Sequence, residues 1–126
     1  MQLMSIAVAL LAAAGIITIG LMYLFTPRRA TLSFGLPLPE EGANIAWWLR
    51  LKGVRDVVSG LVVLSLLLWG GPVITGIVLL VEAIIPLGDM SLILAAKGST
   101  RRALGIHGVT AALMAAAAVS LIMGGA

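Results

Sequence analysis

Five residues able to do chemistry stand within or beside apolar stretches of this sequence: Arg55, Asp56, Glu82, Asp89 and His107. Carboxyls held in unlike surroundings can serve as acid and base, and a histidine can relay a proton between them. An arginine fork can orient a carboxylate or bind an oxyanion. Asp89 and Asp56 are therefore the expected acid and base, Arg55 the anion ligand and His107 the relay. Glu82 and Arg55 are the expected substrate contacts, with Glu82 shaping the deep end of the site. Glu82 and Asp89 are two helical turns apart and so share one helix face. Pro86 between them cannot donate to the Glu82 carbonyl, which favours a bend there.

Each residue also has a plainer reading. Asp56 follows Lys52 by four, so the two can pair along one helix, and Lys52 can also snorkel to the surface. Arg55 can be a static tie from one helix to Asp89 or Glu82 on another. His107, near a helix end, can reach lipid headgroups, and Glu82 can be a structural carboxyl bonded to a neighbour. A lone histidine without cysteine gives no metal-ligand spacing, so no metal site is expected. There is no phosphate-binding glycine loop and no serine elbow, and no cofactor is expected.

The elements that must carry these groups follow from composition. The chain has 126 residues, is 61% hydrophobic and 10% charged, and has a mean hydropathy of +1.18. A soluble domain of this size cannot hide so much apolar surface, whereas lipid solvates it. A helix needs about 20 apolar residues to cross the hydrocarbon. Four stretches approach this, near 3–25, 46–69, 73–96 and 103–123. The expected fold is all-α: a polytopic membrane protein forming one domain, 1–126, as a four-transmembrane-helix antiparallel bundle.

The four stretches differ in character. Thr26-Pro27 ends the first, because proline disfavours helix at the residue before it. The second is cleanly apolar only over 57–69, so the preceding Trp47 to Asp56 must complete the crossing. Trp47, Trp48 and Trp69 mark its interfaces. The fourth is rich in alanine, which lets helices approach closely and places it centrally. The same small residues admit a homodimer. Between the first two stretches, a loop carrying Phe34-Gly35-Leu36-Pro37 and Pro39-Glu40-Glu41-Gly42 is the expected lid.

Leu3 to Leu11 followed by three alanines has the outline of a signal-peptide core. No positive charge precedes it and the apolar run continues to Phe25, so an uncleaved first span is expected. All eight basic residues fall in the first connection with the start of the second span, or in the third connection. The positive-inside rule then puts those connections in the cytoplasm and both termini outside, in the cell membrane. At the helical rise, Arg55 and Asp56 lie roughly 13–15 Å, Asp89 roughly 10 Å and His107 roughly 6 Å from the cytoplasmic ends of their spans. They are expected to meet in a polar pocket open to the cytoplasm.

Phe34-Gly35-Leu36-Pro37, Gly53-Val54-Arg55-Asp56 with Gly60, Asp89 and His107 resemble a family of small four-span membrane proteins of bacteria and fungi, catalogued as a domain of unknown function. The likeness covers most of the chain. It implies the four-span layout and the choice of polar residues, and it supplies no activity. The chain does not resemble the small multidrug exporters, which carry an essential glutamate in their first span. Here 3–25 is uncharged.

The leading functional expectation is a small membrane enzyme that isomerises, cyclises or hydrolyses a lipophilic small molecule by acid–base chemistry. Proton-coupled transport with Glu82 as carrier is one alternative. An accessory subunit whose polar residues only pin helices together is the other. The expected partners are membrane lipids and the lipophilic ligand. Nucleic acid is excluded, because the basic residues flank hydrophobic spans and form no phosphate-binding stripe.

Overall fold

The structure, a computed structural model, describes residues 1–125. Every regular element among them is helical. Helix α1 is Gln2–Phe25, α2 is Pro27–Thr31, α3 is Ile45–Trp69, α4 is Gly71–Glu82 and α5 is Ile84–Ala95. The short α6, Thr100–Arg102, leads into a π-helical segment, Ala103–Gly108, and then α7, Val109–Gly125.

Local chemistry sets the breaks. Thr26 leaves helical geometry (φ −133°, ψ 58°) ahead of Pro27, and Pro27 then opens α2, where its missing N–H costs nothing. Gly71 at φ 75° turns the chain between α3 and α4, a conformation open to glycine. Ala83 interrupts the α4–α5 rod one residue after Glu82, whose carbonyl has lost its donor to Pro86. After α5 the Gly98 amide donates to the Ile93 carbonyl (2.8 Å) and the Lys97 amide to that of Leu94 (3.1 Å). This is a Schellman end with Lys97 in the left-handed position at φ 56°. Ser99 caps α6 by accepting from the Arg102 amide at 3.2 Å.

The long helices form a ring in the order α1, α3, α4–α5, α7, with α7 returning to α1. Small residues bring backbones together. A Cβ on Gly53 would lie 2.6 Å from the Gly20 carbonyl, and one on Gly60 would lie 2.7 Å from that of Ala13, so α1 and α3 run antiparallel in close contact. Likewise a Cβ on Gly76 of α4 would lie 2.8 Å from the Ala118 carbonyl of α7. Without a hydrophobic drive between helices in lipid, such close packing is what holds them. Buried Ala9, Val63, Leu79, Ala118 and Leu121 fill the end of the ring nearest Trp69. Beyond the break at Ala83, α5 packs on the π-helical segment and α7, while α4 packs on both α3 and α7.

The outer surface is apolar, with Leu11, Val54, Leu61, Trp69 and Val81 all exposed. Three helices are long and apolar enough to cross a membrane: Gln2–Phe25, Gly71–Ala95 and Thr100–Gly125. Helix α3 is as long, but it carries Lys52, Arg55 and Asp56 in its first half.

Candidate functional site

The ring of helices holds a partly open cavity of about 490 Å³. Its walls are α1 from Val8 to Tyr23, the inner face of α3, the α4–α5 rod from Leu79 to Asp89, and the start of α7. Val63, Leu79 and Met114 at its far end belong to the packed core. At the near end Tyr23, Phe34, Lys52, Asp89 and His107 converge. The cavity is thus largely apolar, with a polar cluster at its near end and Ser59 and Glu82 deeper in.

His107 projects from the π-helical segment. A π turn closes i to i+5 bonds, here Val109 amide to Leu104 carbonyl, and such turns often mark functional positions. His107 is 9% exposed. Its Nε2 lies 2.9 Å from the Phe34 carbonyl oxygen, and its ring sits 4.7 Å from the Phe34 ring. A carbonyl only accepts, so Nε2 carries a hydrogen. Nδ1 then faces Oδ2 of Asp89 at 3.7 Å. With Nε2 committed as a donor, Nδ1 is the ring nitrogen left facing the Asp89 carboxyl.

Lys52 is the third polar group. Its Nζ donates to Oδ2 of Asp56 at 2.5 Å and lies 4.4 Å from the Tyr23 ring and 5.1 Å from the Phe34 ring. The aromatic faces attract the ammonium by cation–π contact. Asp56 itself is 8% exposed and stands behind Lys52, outside the cavity wall. Deeper in, Ser59 Oγ donates to Oε2 of Glu82 at 2.8 Å, just ahead of the helix break.

The structure therefore brings Asp89, His107 and Glu82 to one cavity and puts Asp56 next to it, paired with Lys52 as the plainer reading had it. Arg55 is not brought there. It is exposed, lines no part of the cavity and makes no ion pair among the described residues, so the expected tie to Asp89 or Glu82 is corrected. The reason is helical phase. Lys52, Asp56, Ser59 and Val63 form the inward stripe of α3, while Arg55 falls on the outward side with Leu51, Val54, Val58, Leu61 and Val62.

From sequence, Lys52 has only a pairing or snorkelling role, and Tyr23 and Ser59 have none. The i, i+4, i+7 spacing of Lys52, Asp56 and Ser59 is a legible signal for one face. Nothing in the sequence pairs Phe34 with His107. The loop does reach the cavity, as expected of a lid: Ser33 and Phe34 line it, the Ser99 amide donates to the Gly35 carbonyl at 2.8 Å, and Arg102 donates to that of Leu32 at 2.8 Å.

Three helices of bilayer length and apolar character mark the chain as a helical membrane protein. The sequence model of a family described as a domain of unknown function (DUF4267) matches residues 13–121, and the chain belongs to that family. No curated protein and no solved structure matches it significantly.

Proposed function

We propose that this protein is a four-span membrane enzyme that draws a lipophilic small molecule from the bilayer and acts on it by acid–base chemistry. One observation carries the reading: His107 is fixed by the Phe34 carbonyl so that Nδ1 faces Asp89 at the near end of a largely apolar cavity. Either member of that pair can give a proton to, or take one from, a ligand seated beside it. Glu82, held by Ser59, borders the deeper part. Arg55 and Asp56 have no part in the chemistry.

The basic residues support a cytoplasmic first and third connection and therefore a cytoplasmic polar end. Helix α3 is the fourth span in this reading. Its Lys52–Asp56 pair turns inward, and Arg55 snorkels toward the surface marked by Trp47 and Trp48. A cavity that ends against Val63 and Leu79 supports an enzyme over a transporter, which needs access from both sides.

The test is a comparison of lipid extracts from membranes carrying the native chain, Asp89→Asn or His107→Phe. Mass spectrometry should find a product that depends on the native chain and is lost in both variants. Unchanged lipids, with proton-driven flux of a small molecule into sealed liposomes, would replace the enzyme by a transporter.

A further inference from the structure

We infer that a groove between the end of α1, α2 and the start of α3 seats the phosphate of an anionic membrane lipid, with Arg28, Arg29 and Arg50 as its ligands. No residue lining this groove lines the cavity, so the surface is separate from the site described above and holds whether or not the cavity is catalytic.

A break in the chain builds the groove. Thr26-Pro27 ends α1, and the chain passes at once into α2, which carries Arg28 and Arg29 and packs on α3. The close contact of Gly53 with Gly20 fixes the register of α3 on α1, three residues after Arg50. A helix end leaves carbonyls short of helical amides. Arg50 supplies one of them, donating from Nε to the Leu24 carbonyl at 3.1 Å. Its guanidinium carbon also lies 5.0 Å from the Trp47 ring centroid, a cation–π contact. Arg50 is thus half-buried and held from two sides, while Arg28 and Arg29 are exposed. All three line the one groove, floored by Pro27 and Ala46.

Charge decides what the groove takes. A guanidinium stays protonated at any physiological pH, so the groove is cationic whatever the pH of the compartment. No carboxylate lines it, and no Asp or Glu pairs with these arginines among the described residues; the two pairs there are Lys52–Asp56 and His107–Asp89. Three like charges around one groove repel one another, and a bound anion turns that repulsion into attraction. With Nε of Arg50 given to Leu24, its two amino groups are left for the anion. The planar guanidinium fork suits a phosphate, whose oxygens accept from it in pairs.

Position decides where the phosphate comes from. Helix α1 is long and apolar enough to cross a membrane, so the groove at its end falls at headgroup level. Phe25 just before the groove and Trp47 beside it are exposed, and aromatic side chains favour that level. Basic clusters placed there draw anionic lipids to them. The acyl chains of such a lipid would lie on the apolar outer faces of α1 and α3, where Leu21 and Leu51 are exposed. A phosphate free in water gains none of these contacts.

The test titrates the purified full chain in detergent with phosphatidylglycerol and reads the affinity of the first bound lipid by native mass spectrometry. Phosphatidylcholine with the same acyl chains should bind about tenfold or more weakly, and glycerol phosphate, the head without the chains, should not saturate. Arg28→Gln with Arg29→Gln changes exposed side chains and keeps the Arg50–Leu24 bond, so it should fold. It should weaken phosphatidylglycerol by about tenfold or more, whereas Lys97→Gln with Arg101→Gln, the same loss of charge outside the groove, should change it by less than about twofold. Arg50→Lys keeps the charge and should still weaken binding severalfold, because an ammonium cannot make the forked contact. Equal losses in the two double variants would mean diffuse attraction and overturn the site. Equal binding of phosphatidylcholine would overturn the anionic class, and equal binding of glycerol phosphate would overturn the lipid in favour of a free phosphate. Unchanged binding in Arg50→Lys would overturn Arg50 as a ligand.

Discussion

Nδ1 of His107 and Oδ2 of Asp89 face each other at 3.7 Å, across a gap that neither helix fills. The distance exceeds a hydrogen bond, and catalytic contacts are often this long before a ligand tightens them. Because the two side chains face each other across the same part of the cavity, they should act as a unit. Asp89→Asn and His107→Phe should each lower turnover by roughly 10²–10⁴-fold, and the double variant should lose little more than either single one. Rate measurements on the four proteins check this, and losses that simply multiply would separate the two roles.

Lys52 and Arg55 are three residues apart, yet Lys52 lines the cavity and Arg55 lies on the outer side of α3. Arg55→Leu should leave turnover unchanged, whereas Lys52→Met should reduce it. Asp56→Leu alone should destabilise the fold by about 1.5–3 kcal/mol, since it strands the ammonium of Lys52. Adding Lys52→Met to Asp56→Leu should restore much of that stability, as read from unfolding in detergent.

The α1–α3 contact should be intolerant of any side chain at its crossing. Gly53→Ala places a methyl against the Gly20 backbone and should cost roughly 1–3 kcal/mol. Gly15→Ala, on α1 beside the cavity, meets open space and should gain up to about 1 kcal/mol from helix propensity. Thermal unfolding should therefore shift in opposite directions for the two variants, and a stabilising Gly53→Ala would refute the close approach.

Lys97 occupies a left-handed position at the end of α5, where glycine is the natural residue. Lys97→Gly should raise stability by about 1 kcal/mol through relief of that backbone cost. An unchanged or lowered unfolding midpoint would show that the lysine side chain compensates locally.

Topology is directly measurable because the chain has no cysteine. Glu41→Cys should react with an impermeant thiol reagent only from the cytoplasmic side, and Gln2→Cys and Trp69→Cys only from outside. Labelling of positions 41 and 69 from the same side would mean that α3 does not cross.

The sequence by itself determined the all-helical, membrane-adapted character of the chain, because mean hydropathy and the positions of proline and glycine act locally. Thr26-Pro27 stops α1, and Pro86 deprives the Glu82 carbonyl of its donor, whatever else surrounds them. It also put Glu82 and Asp89 on one face, since that follows from helical period alone. Tertiary structure decided which polar groups meet. A step of one residue turns a helix by about 100°, so Arg55 and Asp56 part company once Gly53 and Gly60 press α3 against α1. The meeting of His107 with Phe34, 73 residues earlier, depends on a loop folding back over a π-helical turn, and no local pattern encodes it.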